Sequence, residues 1–572
     1  MKRNTAHSDA GMALVMALMF VSVSVIVLTA LTARLMNQRT AVDHYEDYKN
    51  CFQGMEAAIA SGTTEVENGD DGTVGLSGWT PTYDANNQII LPAFDDAAAQ
   101  PLSFTSMPGL QFMAYTVNWF TDNRDNNNDG LVDDSAERHM YGIYALARQG
   151  SVLRRAEVIS KGVDVNVWRN AIFAGNGQAG GLVNGNVSIH GAVHLLGQNL
   201  LVGNTAIAAL DLSGTSLIHN NYGGIPATLA ARVPPLPQTV FNGETISTLE
   251  AKLRVKRGLV SLSGNSEVGE PDIVGNTLKE TMDGVHVNDG WTGNAVVDDG
   301  DRGDPLSVFS DNGWDELYDL GDKVSFPRLT DDWRDPVNGA RTQDPDTGTW
   351  YTHENYFNQV LVADPNVPTD GVYTGDVVID ARGDKFYWNA STNTKLVGSL
   401  PASLPPNTQD YLWFDPASNV LRVNGQVRIN GAMTFTGQGN DRTINYSGRA
   451  ALLVYGDVTI NTDLLTCNNG NPANTANSFP VNNILGLMTA TNMLVGATAQ
   501  CDIMGAFYAH NTIQALKQTD VMGTFVANYF DMGSQVPSIF QVPSLADNLP
   551  LGMIGNYPIM SLDQVSWREL GI

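Results

Sequence analysis

The chain has 572 residues, 43% of them hydrophobic, enough for a substantial buried core spread over roughly three or four domains. Its 60 acidic residues outweigh 32 basic ones and give a net charge of −28, a field that repels phosphate backbones and anionic lipid and so disfavours nucleic-acid binding through the chain's own charge. Charged residues make up only 16% of the chain while glycine numbers 56, the composition of a turn-rich β protein.

A short polar leader containing Lys2 and Arg3 ends at Gly11, and from Met12 to Ala33 there are 22 residues without a charge. That is long enough to cross ~30 Å of hydrocarbon as one helix. No turn residue follows. The pattern becomes amphipathic instead, with Val42, Tyr45, Tyr48, Phe52, Met55 and Ile59 spaced by threes and fours, so one helix is expected to run from the membrane to beneath a soluble head. A secretory signal has a shorter apolar core with a small-residue cleavage site behind it; here the available cut lies in front, at Gly11. Positive charges flank the run on both sides (Lys2 and Arg3 before, Arg34, Arg39 and Lys49 after), which leaves the orientation open on charge alone. A plain, unprocessed single-pass anchor is the alternative.

Gly11, the Ala-Leu-Val type run behind it, and Phe52, Glu56, Ala57 and Ala58 in a Phe-x-x-x-Glu-Ala-Ala arrangement occur in register. In these features the first segment resembles type IV prepilins, most closely the PilX-type minor pilins. The resemblance implies that a prepilin peptidase cuts between Gly11 and Met12 and methylates the new amine of Met12. It further implies an inner-membrane single-pass protein, its bulk periplasmic or on the cell surface or pilus, whose partners are other pilins and the pilus assembly machinery. Major pilins carry Glu at the fifth mature position, where this chain has Met16; the departure points to a minor component.

After Ser61 a β-type head is expected, with a strand over 109–120 and a hairpin turning at Arg148-Gln149-Gly150. Between them lies an acidic loop. Counting from Asp125, positions one, three and five are Asp125, Asn127 and Asp129, and Gly130 follows at the sharp turn. Leu131 would add its carbonyl, Asp133 stands at position nine with Asp134 next, and Glu137 comes one residue later than an EF-hand requires. Alternate residues aim oxygens at one centre, the pattern of a short calcium loop, with a solvated acidic turn as the alternative.

From Ala171 short alternating strands broken by Gly and Asn begin (181–219) and resume at 421–439 and 449–465. Ile484-Leu485-Gly486, Ile503-Met504-Gly505 and Val521-Met522-Gly523 recur at spacings of 19 and 18, with Ala490, Ala509 and Ala527 four residues after each Gly, and with Asn492 and Asn511 at equivalent places. Such a period suits one coil of a β-solenoid, which cannot bury its inner face without a neighbour; an evenly spaced β-sandwich is the alternative. The texture of Val423 to Gly431 and of Tyr455 to Asn461 resembles the bactofilin-like solenoid regions of some pilus-assembly proteins. The stretch 542–556, punctuated by Pro and Gly, is expected to close a solenoid end.

Residues 223–405, rich in Asp, Pro and Gly, read as an acidic lobe inserted into the stack, with a short helix over 244–255. Cys467 and Cys501 are the pair available for a disulfide in an oxidising compartment, and Cys51 reads as a small apolar residue. No nucleophile elbow, zincin, P-loop or dinucleotide motif occurs. His190 and His194 are spaced to share one face of a strand but lack a third ligand, and the two Arg-Gly-Asp tripeptides at 302–304 and 382–384 are chance occurrences in acidic turns.

The expected fold is mainly β: a leader (1–11), a transmembrane and amphipathic helix (12–62), a small pilin-like α/β head (63–170), a first solenoid part (171–222), the inserted lobe (223–405), the main β-solenoid (406–545) and a tail (546–572). The expected role is a structural, non-enzymatic minor pilin with calcium as cofactor. Two rivals are a surface adhesin that binds through the lobe and a solenoid enzyme acting on acidic glycans.

Overall fold

The protein's structure, a computed structural model, describes residues 7–67, 72–76, 79–83, 89–96, 99–119, 122, 124–126, 132, 140–178, 187–199, 208–241, 243–293, 307–313, 317–336, 341–357, 371–437, 442–532, 537–557 and 559–570; of residues 7–11 and 560 it describes the backbone alone. The chain folds into two compact units, Met1–Val163 with Met560–Ile572, and Asp164–Ile559. It is mainly β, with one long apolar helix at its N-terminus and many parallel strands.

In the first unit a single helix, α1 (His7–Glu67), runs for 61 residues, ~90 Å at the usual rise. No proline interrupts it. Behind it lies a sheet of β1 (Leu102–Ser103), β2 (Gln111–Asn118), β3 (Met140–Gln149) and β4 (Val152–Asp164), with the C-terminal strand (Met560–Leu570) on the outer side of β4. The expected hairpin is present: Gln149 pairs with Val152, and Gly150 takes the positive φ of 56° that the tight turn needs.

Side chains of β2 and β3 alternate with period two. Phe112, Ala114, Ala145 and Ala147 meet Cys51, Met55 and Ala58 of α1. Met113, Val117 and Leu146 face the other way onto Leu76, Ile89, Leu91, Phe94 and Trp119. The helix face that docks is therefore Cys51, Gly54, Met55, Ala58 and Gly62, while Val42, Tyr45 and Tyr48 of the expected stripe stay exposed. Small residues decide this: a Cβ on Gly54 would lie 2.9 Å from Leu110 Cδ1 and 3.1 Å from Ala147 Cβ, so the bare backbone lets the helix approach an alanine-lined sheet.

The expected tail at 546–572 is corrected in its second half, because Met560–Leu570 completes the head sheet. Arg154, its side chain 7% exposed, binds Glu569 through two nitrogens at 2.7 and 2.5 Å. Arg568 pairs with Glu157, the Leu562 N–H donates to Glu67 at 2.9 Å, and Trp567 packs edge-on against Phe52. Such charge-assisted contacts, bidentate at Arg154, hold a strand that contributes few buried apolar groups of its own.

The second unit is a β-solenoid whose chain enters in the middle of the stack. The chain enters along Ile172–Gln178 and then makes the entry coil, Ser188–His190 with Val193–Leu195; Ile172–Ala174 pairs in parallel with Val193–Leu195 and so lies one coil away. On one side Ser188–His190 pairs in parallel with Leu217–His219, which pairs with Glu267–Val268, and Val193–Leu195 pairs with Lys252–Val255, then Gly284–Val287. On its other side lies a coil shared by the two ends of the unit, Ser538–Phe540 against Ser188–His190 and Ile172–Gln178 against Val193–Leu195, and Thr519–Asp531 stacks in parallel on both. Beyond these, in parallel, lie Cys501–Ala515, Ile484–Thr489, Thr443–Val454, Val420–Asn430 and Tyr373–Thr374. Each coil turns its apolar residues inward, and Ile189, Ile218, Leu253, Val285 and Ile539 are fully buried.

The internal repeat is aligned as expected between its second and third copies, with Ile503, Gly505 and Ala509 opposite Val521, Gly523 and Ala527. The first copy slips by one residue: Gly486 meets Ala506, and Thr489 takes the place expected for Ala490. Asn492 and Asn511 are offset likewise, since Met493 meets Ile513.

Three further expectations are corrected. Part of the supposed lobe, Lys252–Val255 through Trp291–Gly293, is solenoid coil. The helix expected over 244–255 is two strands separated by Glu250 at φ 53°: Glu244–Ser247 pairs antiparallel with Gln238–Phe241, and Lys252–Val255 has parallel neighbours on both sides, pairings that override a helix-compatible composition. Residues 542–556 lie along a flank, with Met553 over Gly486 and the Ile554 N–H directed at Met488 Sδ of an internal coil. At the Tyr373–Thr374 end it is antiparallel strands, Phe386–Asn389, Thr394–Val397 and Tyr411–Asp415, that adjoin the coils.

Candidate functional site

The most conspicuous chemical feature is the front of α1. Every side chain from Met12 to Glu46 is exposed, and the run is long and apolar enough to cross a membrane. Three hydroxyls of the run are turned inward on the helix: Ser22 donates to Leu18 O at 2.7 Å, Thr29 to Val25 O at 2.8 Å and Thr32 to Leu28 O at 2.8 Å. These bonds leave the hydroxyls satisfied without water, as an apolar surrounding requires. The helix is continuous through Gly11 and Met12, the two residues expected to flank the processing site. Phe52, Glu56, Ala57 and Ala58 sit where α1 reaches the head, with Ala58 buried and Glu56 exposed.

Of the expected metal ligands, only Asp125 is among the described residues; Asn127, Asp129, Leu131, Asp133, Asp134 and Glu137 lie outside them. Just before Asp125, Asp122 accepts from the Arg124 N–H and from Asn126 Nδ2. No group of three or more metal-binding side chains occurs among the described residues.

Cys51, Cys467 and Cys501 are buried free thiols, so the structure does not join Cys467 to Cys501. Leu464 and Ile503 are opposite each other on adjacent coils, which sets the two cysteines five positions apart along the register, ~16 Å at strand rise and beyond the reach of a disulfide. Burial pushes the Cys467 thiol up to about 11 and Cys501 to about 12, as for inert core thiols.

His190 and His194 do not share one strand. They fall in Ser188–His190 and Val193–Leu195, with Gly191 at φ 133° between them. His194 Nε2 bonds the Tyr318 hydroxyl at 2.7 Å. It aligns with Arg254 and His286 on successive coils, and Arg254 grips Asp319 through three bonds of 2.8–3.0 Å. This column anchors the segment around 318–322 to the stack. Burial pushes His194 down to about 3.

His190 lies between Phe540 and His219, ring centroids 4.3 Å away on each side and ring planes nearly parallel at 14° and 12°. Its Nδ1 is 2.7 Å from Asn221 O, and burial, then the adjacent His219, pushes it down to about 3. His219 in turn touches Ser188 Oγ through Nε2 at 3.0 Å and Glu270 Oε2 through Nδ1 at 2.8 Å. The hydrogen bond from His219 holds Glu270 below the ordinary carboxylate range. Sequence reading missed this cluster because its members are 31 and 51 residues apart; the one signal was the pair of Ile-His steps at 189–190 and 218–219, which end equivalent strands.

An acidic column runs along the stack. Asp502 and Asp520 are opposite each other, Asp463 Oδ1 accepts from the Asp502 N–H at 3.1 Å, and Ser538 follows Asp520 in register. Burial, followed by the charges of Asp520 and Asp463, pushes Asp502 up to about 6, and burial raises Asp520 as well.

No family model matches the chain, and no curated protein matches it. Among solved structures, the crystal structure of the competence-associated pilin ComZ from Thermus thermophilus is similar over 92% of this chain and 97% of that chain, with 17% identity and a TM-score of 0.44.

Proposed function

We propose that the chain is a minor subunit of a type IV pilus or a related assembly, processed ahead of its apolar run and held in the inner membrane by α1 until a pilus machine extracts it. The observation that carries this reading is the two-part character of one unbroken helix. Its first half is apolar and exposed, with three hydroxyls bonded back to the helix, while its second half is locked beneath a sheet through Cys51, Met55 and Ala58. A helix whose only task is anchoring needs no such continuation, whereas a stem that packs among other stems must transmit its position to the head. The Gly11–Met12 step and the Phe52-to-Ala58 motif support a PilX-type minor pilin within that class, with prepilin peptidase and other pilins as partners. In this reading the solenoid is cargo carried outside the membrane, and calcium bound at 125–137 stabilises the head.

Mass spectrometry of the mature N-terminus tests the proposal. N-methylated Met12 is expected; an intact Met1 would overturn processing and reduce α1 to a plain anchor.

A further inference from the structure

We propose that Ser188, His219 and Glu270 form a nucleophile–base–orienter site on the flank of the solenoid, able to cleave uncharged or cationic carboxylic esters. The three side chains come from successive coils: Ser188 from the entry coil, His219 from the next, and Glu270 just past the strand pairing with it. Ile189 and Ile218 point into the core, so Ser188 and His219, one residue to either side, point outward by the period of two.

The contacts come in the order that acyl transfer uses. Ser188 Oγ meets Nε2 at 3.0 Å, and Nδ1 meets a carboxylate oxygen of Glu270 at 2.8 Å. With Glu270 ionised, the imidazole proton belongs on Nδ1, which leaves Nε2 to accept the serine proton. Glu270 is the positioning residue, its acidity increased by the bond from His219. The ring is also clamped by its stack on His190, so it has one orientation to offer. Its side chain is 10% exposed and that of Glu270 35%, while Ser188 is half-buried and open to small reagents.

In the reaction Ser188 Oγ bonds the ester carbonyl carbon as its proton passes to His219 Nε2. The tetrahedral adduct expels the alcohol, which takes that proton, and leaves an acyl-serine. Water then attacks the acyl carbon, His219 accepting its proton and returning it to Ser188 as the carboxylic acid departs. No redox partner is needed. Glu267 stands next to Glu270, close enough that the latter's charge adds to burial in raising it. Ser538, opposite Ser188, hydrogen-bonds Asp520. These carboxylates disfavour anionic esters.

The test uses the full chain in detergent and a neutral alkyl fluorophosphonate, with adducts located by peptide mass spectrometry. The expected result is a phosphonylated Ser188, absent from Ser188→Ala. Glu270→Gln should label at least ~10-fold more slowly with an altered pH profile, the scale of a weakened general base, and Glu270→Asp should recover part of the rate. Both Glu270 variants are checked for an unchanged melting temperature, because replacing the stacked His219 would disturb the fold itself. Absence of an adduct on Ser188, or labelling equally fast in Glu270→Gln or at Ser538, overturns the proposal.

Discussion

Replacing Gly523 by alanine tests the coil register directly. Gly523 lies opposite Gly505 of the adjoining coil, at φ 143°. A Cβ there would sit 1.9 Å from the Gly505 carbonyl oxygen; the obstacle is backbone, so no side chain can swing away. Left-handed strain costs about 1–3 kcal/mol and overpacking a similar amount, together about 4 kcal/mol. For a unit of about 400 residues, an unfolding entropy of about 2.1 cal/mol/K per residue turns that into a fall of about 5 °C in Tm. Gly398 supplies the control, with φ 79° and nothing within 4 Å of an added Cβ; Gly398→Ala should carry only the strain, about 1 kcal/mol and 1 °C. Calorimetry of the full chain in detergent reads both. Equal shifts for the two variants would refute the close approach and, with it, the alignment of the two repeat copies.

Asp502 and Asp520 should make the solenoid more stable as pH falls. A carboxyl whose folded pKa is raised favours the folded state below its unfolded value of about 4, and that benefit disappears as pH rises through about 6. Asp502→Asn should therefore stabilise at pH 7 by roughly 1–2 kcal/mol, allowing for partial solvent screening, and flatten the melting profile between pH 4 and 6; an unchanged profile contradicts the column. Met55→Ala removes a fully buried side chain between α1 and the sheet and should weaken that docking by about 2–4 kcal/mol, seen as faster amide exchange in 51–62 with exchange in the solenoid strands 172–178 and 193–195 unaffected. Glu569→Gln loses the charge from the Arg154 pair and should speed exchange in 560–570 several-fold without altering exchange in the solenoid. Calcium binding at 125–137 predicts that EDTA lowers the head's melting temperature by mass action; no shift with EDTA argues against a bound metal.

Local signals were legible wherever a short stretch of chain determines its own structure. The uncharged run from Met12, the hairpin turning at Gly150 and the 18-residue step from Ile503 to Val521 are of this kind. Half of the docking face of α1 was legible, since Phe52, Met55 and Ile59 of the amphipathic stripe pack at the head, whereas Gly54 and Ala58 dock by being small and carry no apolar signal. The strand at Lys252–Val255 escaped because its partners are 193–195 and 284–287, and nothing local announces them. The Ser188–His219–Glu270 cluster is hidden for the same reason, since solenoid neighbours are set by how much chain each coil spends in excursions. One such excursion, the Gln238–Phe241 and Glu244–Ser247 hairpin, separates strands that would otherwise be closer in sequence.

The point of entry has a consequence for how the solenoid can be carried at all. A stack built from one end to the other would place its two chain ends far apart, and inserting it between two strands of a sheet would force those strands open. Here the chain begins a coil in mid-stack, builds outward, passes to the far end, and works back until Thr519–Asp531 lies against Ile172–Gln178. Its ends are consequently neighbours: the Val165 N–H donates to Ile559 O at 2.8 Å, and Asp164 Oδ1 accepts from the Ile559 N–H at 3.0 Å. With the exit adjacent to the entry, β4 can hand the chain to the solenoid and the strand from Met560 can take up its place beside β4 afterwards. The cost falls on folding, because the seam between first and last coils joins residues some 350 positions apart and its loop-closure entropy is repaid only once both half-stacks exist.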